Sequence, residues 1–428
     1  MGNSEVIQMH KTIKFNILSF VIFLCIIFSV WINPSLFGGV IPMPIPYLLV
    51  CILILFYKIN VRTIWYFTFF LCAVLVSSLL SPGFYNEPTS VLLGGFQLVG
   101  SISLFLILVD ITARNNNSEH IERWIFRLFY FLVFLVFFEI FFGGREVLEL
   151  LRNLIYEKSL YTSFERDVRE YGLVRPMALN REPAHLAFLL STLSFFIINK
   201  KTYSFNKKLL LSFALFFVFI LLIRSPVLIV LPLAQGFIWC FVYKKNAFSS
   251  VVGLIFLTIC VAVFYAFIFD IISSRFDNIM AGSDFSAVAR LVAPIMVCVD
   301  VLRDYPIFGV GVSSDGTLFK YVYDLFVSFG FKSRLLDMDN SSIANYVTNY
   351  FFQIFIYFGA IGGGGLLLIK YKFLSLYNSK VYILLGLFFI FSLAIGGLVT
   401  SKVWVSFFII WLAVKDYLGF EYEENICR

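Results

Sequence analysis

Twelve apolar runs separated by polar stretches limit the fold of this chain more than any other feature. A helix of about 20 apolar residues spans the hydrocarbon core of a bilayer, whereas a membrane β-barrel uses short alternating segments. The composition agrees, since 60% of the 428 residues are hydrophobic and only 14% are charged. The sequence therefore predicts an all-α, polytopic integral membrane protein. The predicted spans are 15–32, 44–57, 64–80, 91–110, 124–143, 183–199, 208–223, 226–243, 249–271, 346–369, 380–398 and 402–415.

Basic residues occur in alternate short loops. They are present, for example, at 58–62, 200–208 and 244–245, and absent from 33–43 and 81–90. Because cytoplasmic loops are enriched in lysine and arginine, twelve spans predict that both termini lie in the cytoplasm. This topology also explains the net charge of +7, so the charge does not imply a nucleic-acid partner.

Two segments are much longer than the other loops, and the topology places both outside the cytoplasm. The uncharged loop at 399–401 is predicted on the same outer side. The resulting divisions are 1–143 with spans one to five, 144–182 as the first large loop, 183–272 with spans six to nine, 273–345 as the second large loop, and 346–428 with spans ten to twelve and a cytoplasmic tail.

Each large loop contains a helical pattern of its own. Apolar residues at 147–155 recur at helical spacing and predict a short amphipathic helix on the membrane surface. A second pattern covers 285–302 and is interrupted by Arg290 and Asp300. A charge at the bilayer centre costs roughly 2.5–3.5 kcal/mol even on insertion scales. The second pattern therefore predicts an interfacial or re-entrant helix.

Five arginines are predicted near the outer membrane interface, next to apolar helices. A guanidinium binds phosphate oxygens in a bidentate manner and stays charged at physiological pH, which suits a lipid-anchored diphosphate. The alternative for each is an arginine that extends toward lipid headgroups. The five are Arg175, Arg181, Arg224, Arg290 and Arg303.

Glu182 and His185 open the sixth predicted span. Pro183 favours a helix start directly after Glu182, and the helix dipole stabilises a carboxylate there. Glu182 is therefore either a capping residue or a general base for an acceptor sugar. His185, one turn into the helix, is a weaker candidate for the same role.

The segment 305–314 resembles a phosphate-cradling loop but lacks the Lys-Ser/Thr ending of a P-loop. It is interpreted as a flexible turn in which Gly309 and Gly311 let the backbone approach a sugar or phosphate. The seven cysteines form no CxxC pair, and the Asp-x-Asp triplet Asp337-Met338-Asp339 is interpreted as solvated carboxylates. Hence the sequence predicts neither a metal site nor a cofactor.

From about residue 90 onward the chain resembles the O-antigen polymerase and O-antigen ligase superfamily of bacterial inner membranes. Arg175-Pro-x₅-Glu182-Pro183-x₃-Ala187 is similar to the end of that family's first large periplasmic loop, which often has glycine where this chain has Ala178. Arg290, with the later 305–311 run, resembles the start of its second large loop. Arg224-Ser225 resembles a short polar turn between two spans.

One departure separates the two branches of this superfamily. Its ligases carry His-Asn/Ser/Gln, nine residues and then GxxG, whereas here Thr348 precedes Asn349 and the nine residues before Gly359. The resemblance therefore favours a polysaccharide polymerase over a ligase that transfers glycan to lipid A core. A lipid-linked oligosaccharide flippase is the alternative from another class. The large outer loops have no role in a flippase.

The resemblance implies a metal-independent glycosyl transfer between two undecaprenyl-diphosphate-linked glycans at the periplasmic side of the inner membrane. It further implies a chain-length regulator as a membrane partner. In this interpretation Arg175 and Arg290 bind the diphosphate, and Glu182 or His185 acts on the acceptor. The predicted substrate-binding residues are Arg181, Arg224, Arg303, Gly309, Gly311 and Asn349.

Overall fold

The chain folds into helices throughout the part that the structure describes. The computed structural model describes residues 17–32, 35–36, 41–42, 44–114, 118–156, 167–168, 171–172, 174–242, 251–265, 288–331, 343 and 346–418. The helices are α1 (Ile17–Trp31), α2 (Pro44–Phe56), α3 (Val61–Leu79), α4 (Pro82–Asn86), α5 (Pro88–Arg114), α6 (Ser118–Phe141), α7 (Arg145–Ile155), α8 (Pro183–Ile198), α9 (Phe205–Ile223), α10 (Val230–Phe241), α11 (Val251–Tyr265), α12 (Ala293–Asp304), α13 (Asp315–Ser328), α14 (Tyr350–Ser375), α15 (Val381–Ser392) and α16 (Ser401–Val414). A two-stranded hairpin pairs Ser35–Leu36 with Ile41–Pro42.

Among the described residues, five helices are long and apolar enough to cross a membrane, judged by length and composition. They are α3, α5, α6, α9 and α14, and several shorter apolar helices accompany them. This pattern confirms an all-helical, multi-pass membrane protein.

The chain forms two compact units, each assembled from segments that are distant in sequence. The first comprises Met1–Thr63, Ser103–Leu231 and Trp404–Arg428, and the second comprises Ile64–Ile102 and Pro232–Val403. In the first unit α8 packs against α6 and α9. Because α8 is apolar on all sides, nearly every one of its residues is buried.

In the second unit α14 is sharply bent at Gly359, which has φ 69° and ψ −174°. The Lys370 ammonium lies 3.3 Å from the Tyr350 hydroxyl, although a straight helix would separate residues twenty apart by about 30 Å. The chain therefore reverses at Gly359 into two arms, 350–358 and 360–375. The expectation of one continuous span at 346–369 is wrong in this respect.

One further expectation about helix length also changes. α15 has 12 residues, fewer than the predicted span 380–398, whereas the 14 residues of α16 equal the length of the predicted span 402–415. The two helices correspond to about 18 and 21 Å, which is less than the roughly 30 Å hydrocarbon core.

The helices expected inside the two large loops are present. α7 forms at Arg145–Ile155, and its Leu150 and Leu154 side chains are exposed while Arg152 is buried. The second pattern forms a π-turn at Val288–Val292 followed by α12. These helices follow from the apolar spacing of their sequences.

Candidate functional site

Within the segment 175–185 the backbone makes a tight turn, and buried side chains contact this turn from several directions. Ala178 and Leu179 have φ values of 43° and 68°, a left-handed conformation that costs a non-glycine residue roughly 1–2 kcal/mol. The Trp31 indole N–H donates to the Ala178 carbonyl at 2.9 Å, and the Tyr156 hydroxyl donates to the Leu179 carbonyl at 2.9 Å. Surrounding contacts therefore compensate the backbone strain.

Glu139 binds the other side of this turn. One carboxylate oxygen accepts hydrogen bonds from the Met177 and Ala178 amides at 2.9 and 2.8 Å. The other oxygen lies 3.5 Å from Arg152 and 3.7 Å from Arg145. The Glu139 side chain is fully buried inside the first unit, beneath the turn.

The Arg175 side chain is less accessible to a ligand than its predicted role in binding the diphosphate requires. Its guanidinium is 7% exposed and lies 2.8 Å from the buried Asp167 carboxylate. It also lies over the Tyr171 ring, 4.0 Å from the centroid, and its carbonyl accepts from Arg145 at 3.4 Å. A phosphate at Arg175 would therefore compete with Asp167.

Arg181 and Arg224 lie around the same aromatic residues. The Arg181 guanidinium is 4.9 Å from the centre of the Tyr156 ring. Arg224 ends α9 in a left-handed conformation and donates to the Tyr171 carbonyl, which confirms the expected polar turn between two helices. Within the described part of the chain, the Nε–H groups of Arg181 and Arg224 are buried and have no hydrogen-bond partner.

These contacts bring together an arginine cluster that consists of Arg145, Arg152, Arg175, Arg181 and Arg224. Three of the five pair with buried carboxylates: Arg145 and Arg152 with Glu139, and Arg175 with Asp167. Such a region attracts anions, because guanidinium groups favour phosphate oxygens and lose little energy on partial desolvation.

Glu182 and His185 lie next to this cluster at the start of α8. Glu182 occupies the N-cap position but makes no side-chain capping bond, and Pro183 is the first helical residue, as predicted. His185 donates its backbone N–H to the Glu182 carbonyl at 3.1 Å. Both side chains are half-buried, and Glu182 lies at the N-terminus of α8.

In the second unit the Arg290 backbone is part of the π-turn Val288–Val292. The neighbouring Ala289 carbonyl accepts from the Thr348 amide at 3.4 Å. Asn349 follows directly and caps α14, since its side-chain oxygen accepts from the Phe351 amide at 3.0 Å. The backbone hydrogen bond from Thr348 to Ala289 places the chain at Arg290 next to the chain at Asn349.

The segment 305–314 is anchored on the bend of α14. The Val310 and Gly311 amides donate to the carbonyls of Ile356 and Tyr357 at 2.9 and 3.1 Å. A Cβ on Gly309 would lie 2.3 Å from the Ile356 carbonyl oxygen. The expectation of a flexible turn is therefore wrong, because these amides bind backbone within the protein.

Arg303 is 77% exposed and lies 4.0 Å from Asp300. It lines a cavity of about 340 Å³ between α12 and α13, together with Asp304 and Tyr321. The Tyr321 hydroxyl donates to Asp304 at 2.6 Å. Burial and the neighbouring Asp304 raise the pKa of Tyr321, so this hydroxyl stays protonated and keeps the carboxylate fixed.

Reasoning from the sequence missed Glu139, Tyr156 and Tyr171 as parts of this region. Glu139 did carry a signal, since it is the rare carboxylate within an apolar helix. The two tyrosines carried none in a chain with 22 of them. The described residues contain no group of three or more His, Cys, Asp or Glu side chains arranged to hold a metal ion.

Comparison with known proteins gives one match. The family model described as WcaD colanic acid polymerase matches residues 15–415. No curated protein and no solved structure matches the chain. The match covers nearly the whole sequence, and it confirms the polymerase interpretation over the ligase and flippase alternatives. The chain therefore belongs to the WcaD colanic acid polymerase family and is a multi-pass membrane enzyme that polymerises polysaccharide.

Proposed function

We propose that this polymerase uses glycans linked to undecaprenyl diphosphate, at the periplasmic side of the bacterial inner membrane. A sugar hydroxyl of one lipid-linked unit attacks the anomeric carbon of the other glycan. The new glycosidic bond forms as the bond from that carbon to the diphosphate oxygen breaks. Undecaprenyl diphosphate leaves with the electron pair, and Glu182 takes the hydroxyl proton.

The arginine cluster is the observation that carries this proposal. Negative charge grows on the diphosphate as the bond breaks, and fixed donors aimed at such charge lower the barrier. Arg181 and Arg224 each have a buried Nε–H without a partner in the described residues. Arg175 joins them where phosphate oxygens replace Asp167, and Arg290 is the second predicted ligand of the diphosphate. His185 remains the alternative acceptor of the proton.

The remaining predicted residues enter the proposal in different ways. Asn349 and the exposed Arg303 stay candidates for binding the acceptor glycan, and Arg303 borders a cavity with carboxylates that suit sugar hydroxyls. Gly309 and Gly311 act by positioning α14, since their backbone contacts lie within the protein.

The first test uses purified protein in detergent with undecaprenyl-diphosphate-linked repeat units and no nucleotide sugar. The wild-type protein is expected to lengthen the glycans, as resolved on a gel. Arg175→Ala and Arg290→Ala are each expected to lower the rate about 100-fold, because one transition-state donor is lost. A requirement for nucleotide sugar would overturn the proposed donor.

Two controls separate chemistry from folding in this test. Arg127 is an exposed arginine about 18 Å from Glu139 along α6, so Arg127→Ala is expected to keep its activity. The Arg175→Ala/Asp167→Ala variant removes the carboxylate that the single substitution leaves buried. Near-normal elongation by this double variant would show that Arg175 is structural.

The membrane arrangement is also proposed here, and it differs from twelve full spans. The Ser101 hydroxyl donates to the Val399 carbonyl at 2.7 Å, and Ser101 is the middle residue of the 27-residue α5. Val399 therefore lies near the bilayer midplane if α5 crosses the membrane. Together with the short α15 and α16, this supports a re-entrant hairpin in place of two full spans.

Cysteine labelling tests this hairpin in a variant whose seven native cysteines are replaced. A membrane-impermeant maleimide added to spheroplasts is expected to label Tyr85→Cys, at an exposed position in the predicted outer loop 81–90. Thr400→Cys is expected to stay unlabelled from outside because the tip of the hairpin is placed near the bilayer midplane, beyond the reach of a membrane-impermeant reagent. Labelling of Thr400→Cys as fast as Tyr85→Cys would instead support two full spans.

A further inference from the structure

We propose that Glu139 is a positioning residue for the polymerase reaction, acting through the 175–181 segment. This inference rests on the proposed function, since it gives Glu139 the task of placing Arg175 and Arg181. Glu139 belongs to α6, in the apolar core of the first unit, and its side chain is fully buried.

The carboxylate fixes the turn through two consecutive amides. A single oxygen accepts from both the Met177 and Ala178 N–H groups, at 2.9 and 2.8 Å. Successive amides that converge in this way form a concavity that favours an anion. The same turn places Ala178 and Leu179 in the left-handed region, so the carboxylate stabilises a backbone that alanine and leucine do not adopt readily by themselves.

Glu139 also acts on the residues before the turn. Its second oxygen lies 3.7 Å from Arg145. Arg145 in turn donates to the carbonyls of Val174 and Arg175 at 3.1 and 3.4 Å. The carboxylate therefore fixes the backbone on both sides of Pro176. The position of this backbone sets the positions of the Arg175 and Arg181 side chains.

The competing interpretation is that Glu139 only neutralises Arg152, which is 1% exposed and 3.5 Å away. The two interpretations predict different effects for the same substitutions. An amide oxygen replaces the acceptor for the two N–H groups but not the charge. Glycine at position 178 relieves left-handed strain but does not change the charge beside Arg152.

The experiment measures glycan elongation by purified variants, as kcat and KM for the lipid-linked substrate. Glu139→Ala is expected to lower kcat about 100-fold with little change in KM, because the catalytic groups are displaced by a fraction of an ångström. Glu139→Gln is expected to keep most of the kcat, since one oxygen still accepts from both amides. A Glu139→Gln variant as inactive as Glu139→Ala contradicts the proposal.

Second-site substitutions distinguish the two roles of Glu139 even if the Glu139→Ala variant folds poorly. In the Glu139→Ala background, Ala178→Gly is expected to recover about fivefold in kcat because glycine adopts the turn without strain, whereas Arg152→Met is expected to recover nothing. If Glu139→Ala does not accumulate as folded protein, the same pair is compared by the yield of monodisperse protein. Recovery by Arg152→Met alone overturns the proposal.

The Arg175→Ala and Arg181→Ala variants distinguish a failure of this inference from a failure of the proposed function. If both elongate glycans normally, the arginine cluster is not the catalytic site. The suppressor pattern at Ala178 then reports only that Glu139 fixes the turn. If both are inactive and Ala178→Gly does not rescue, the site stands and the positioning role is refuted.

Discussion

Gly359→Ala is expected to lower the free energy of unfolding by at least about 4 kcal/mol, because it combines backbone strain with overpacking. At φ 69° and ψ −174° the backbone is in a region that only glycine occupies readily. A Cβ there would also lie 2.5 Å from the Ile307 carbonyl carbon and 2.7 Å from the Gly309 amide nitrogen. Both neighbours are backbone and have no rotamer through which to move away.

The measurement is the thermal unfolding midpoint of purified protein in detergent, with yield as a second readout. Gly364→Ala is the matched control on the same helix, since nothing lies within 4 Å of its added Cβ. Alanine is a better helix former than glycine by about 1 kcal/mol, so this control is expected to be neutral or slightly more stable. Equal midpoints for the two variants would show that α14 does not need its bend.

Gln353→Leu is the second substitution with a large expected effect. The buried Gln353 side chain accepts from the Gly397 and Leu398 amides at 3.0 and 2.8 Å, and donates to the Val347 carbonyl at 2.7 Å. Leucine of similar size would leave these three backbone groups without their partner. At about 1–3 kcal/mol for each unsatisfied group, the loss is expected to exceed that of an ordinary core substitution.

Gln235→Leu provides the comparison for this loss. Gln235 is fully buried, and neither polar atom of its amide has a hydrogen-bond partner in the described part of the chain. Removing a buried polar group that makes no bond is neutral or stabilising. The unfolding midpoint in detergent is therefore expected to fall for Gln353→Leu only. If the unfolding midpoint fell by the same amount for Gln235→Leu, the effect would be due to side-chain shape and not to hydrogen bonding.

Much of the local structure follows from the sequence alone. Pro183 starts α8, Asn349 caps α14 and Arg224 ends α9 at the positions that local rules predict. The amphipathic α7 forms where its apolar residues recur. These features depend on capping, proline geometry and periodicity, which involve residues within a few positions of each other.

The sequence also singled out three arginines that the fold brings together, but not their surroundings. Arg175, Arg181 and Arg224 lie around Tyr156 and Tyr171. The burial of Arg175 against Asp167 was not predictable. Seven carboxylates occupy the loop 144–182, and the spacing along the chain does not single out one of them.

The sequence by itself determined that this protein is a helical membrane protein, where most helices begin, and which polar segments carry its charge. Hydrophobic length and loop charge decide these properties, because the bilayer acts on each segment separately. Only the tertiary structure decided the reversal at Gly359, the shortened α15 and the place of Glu139 beneath the 177–178 turn. Each of these depends on close contacts between residues far apart in the chain, such as Gly309 with Gly359 and Glu139 with Ala178. The hydropathy of a segment depends only on its own residues, so it does not predict such contacts.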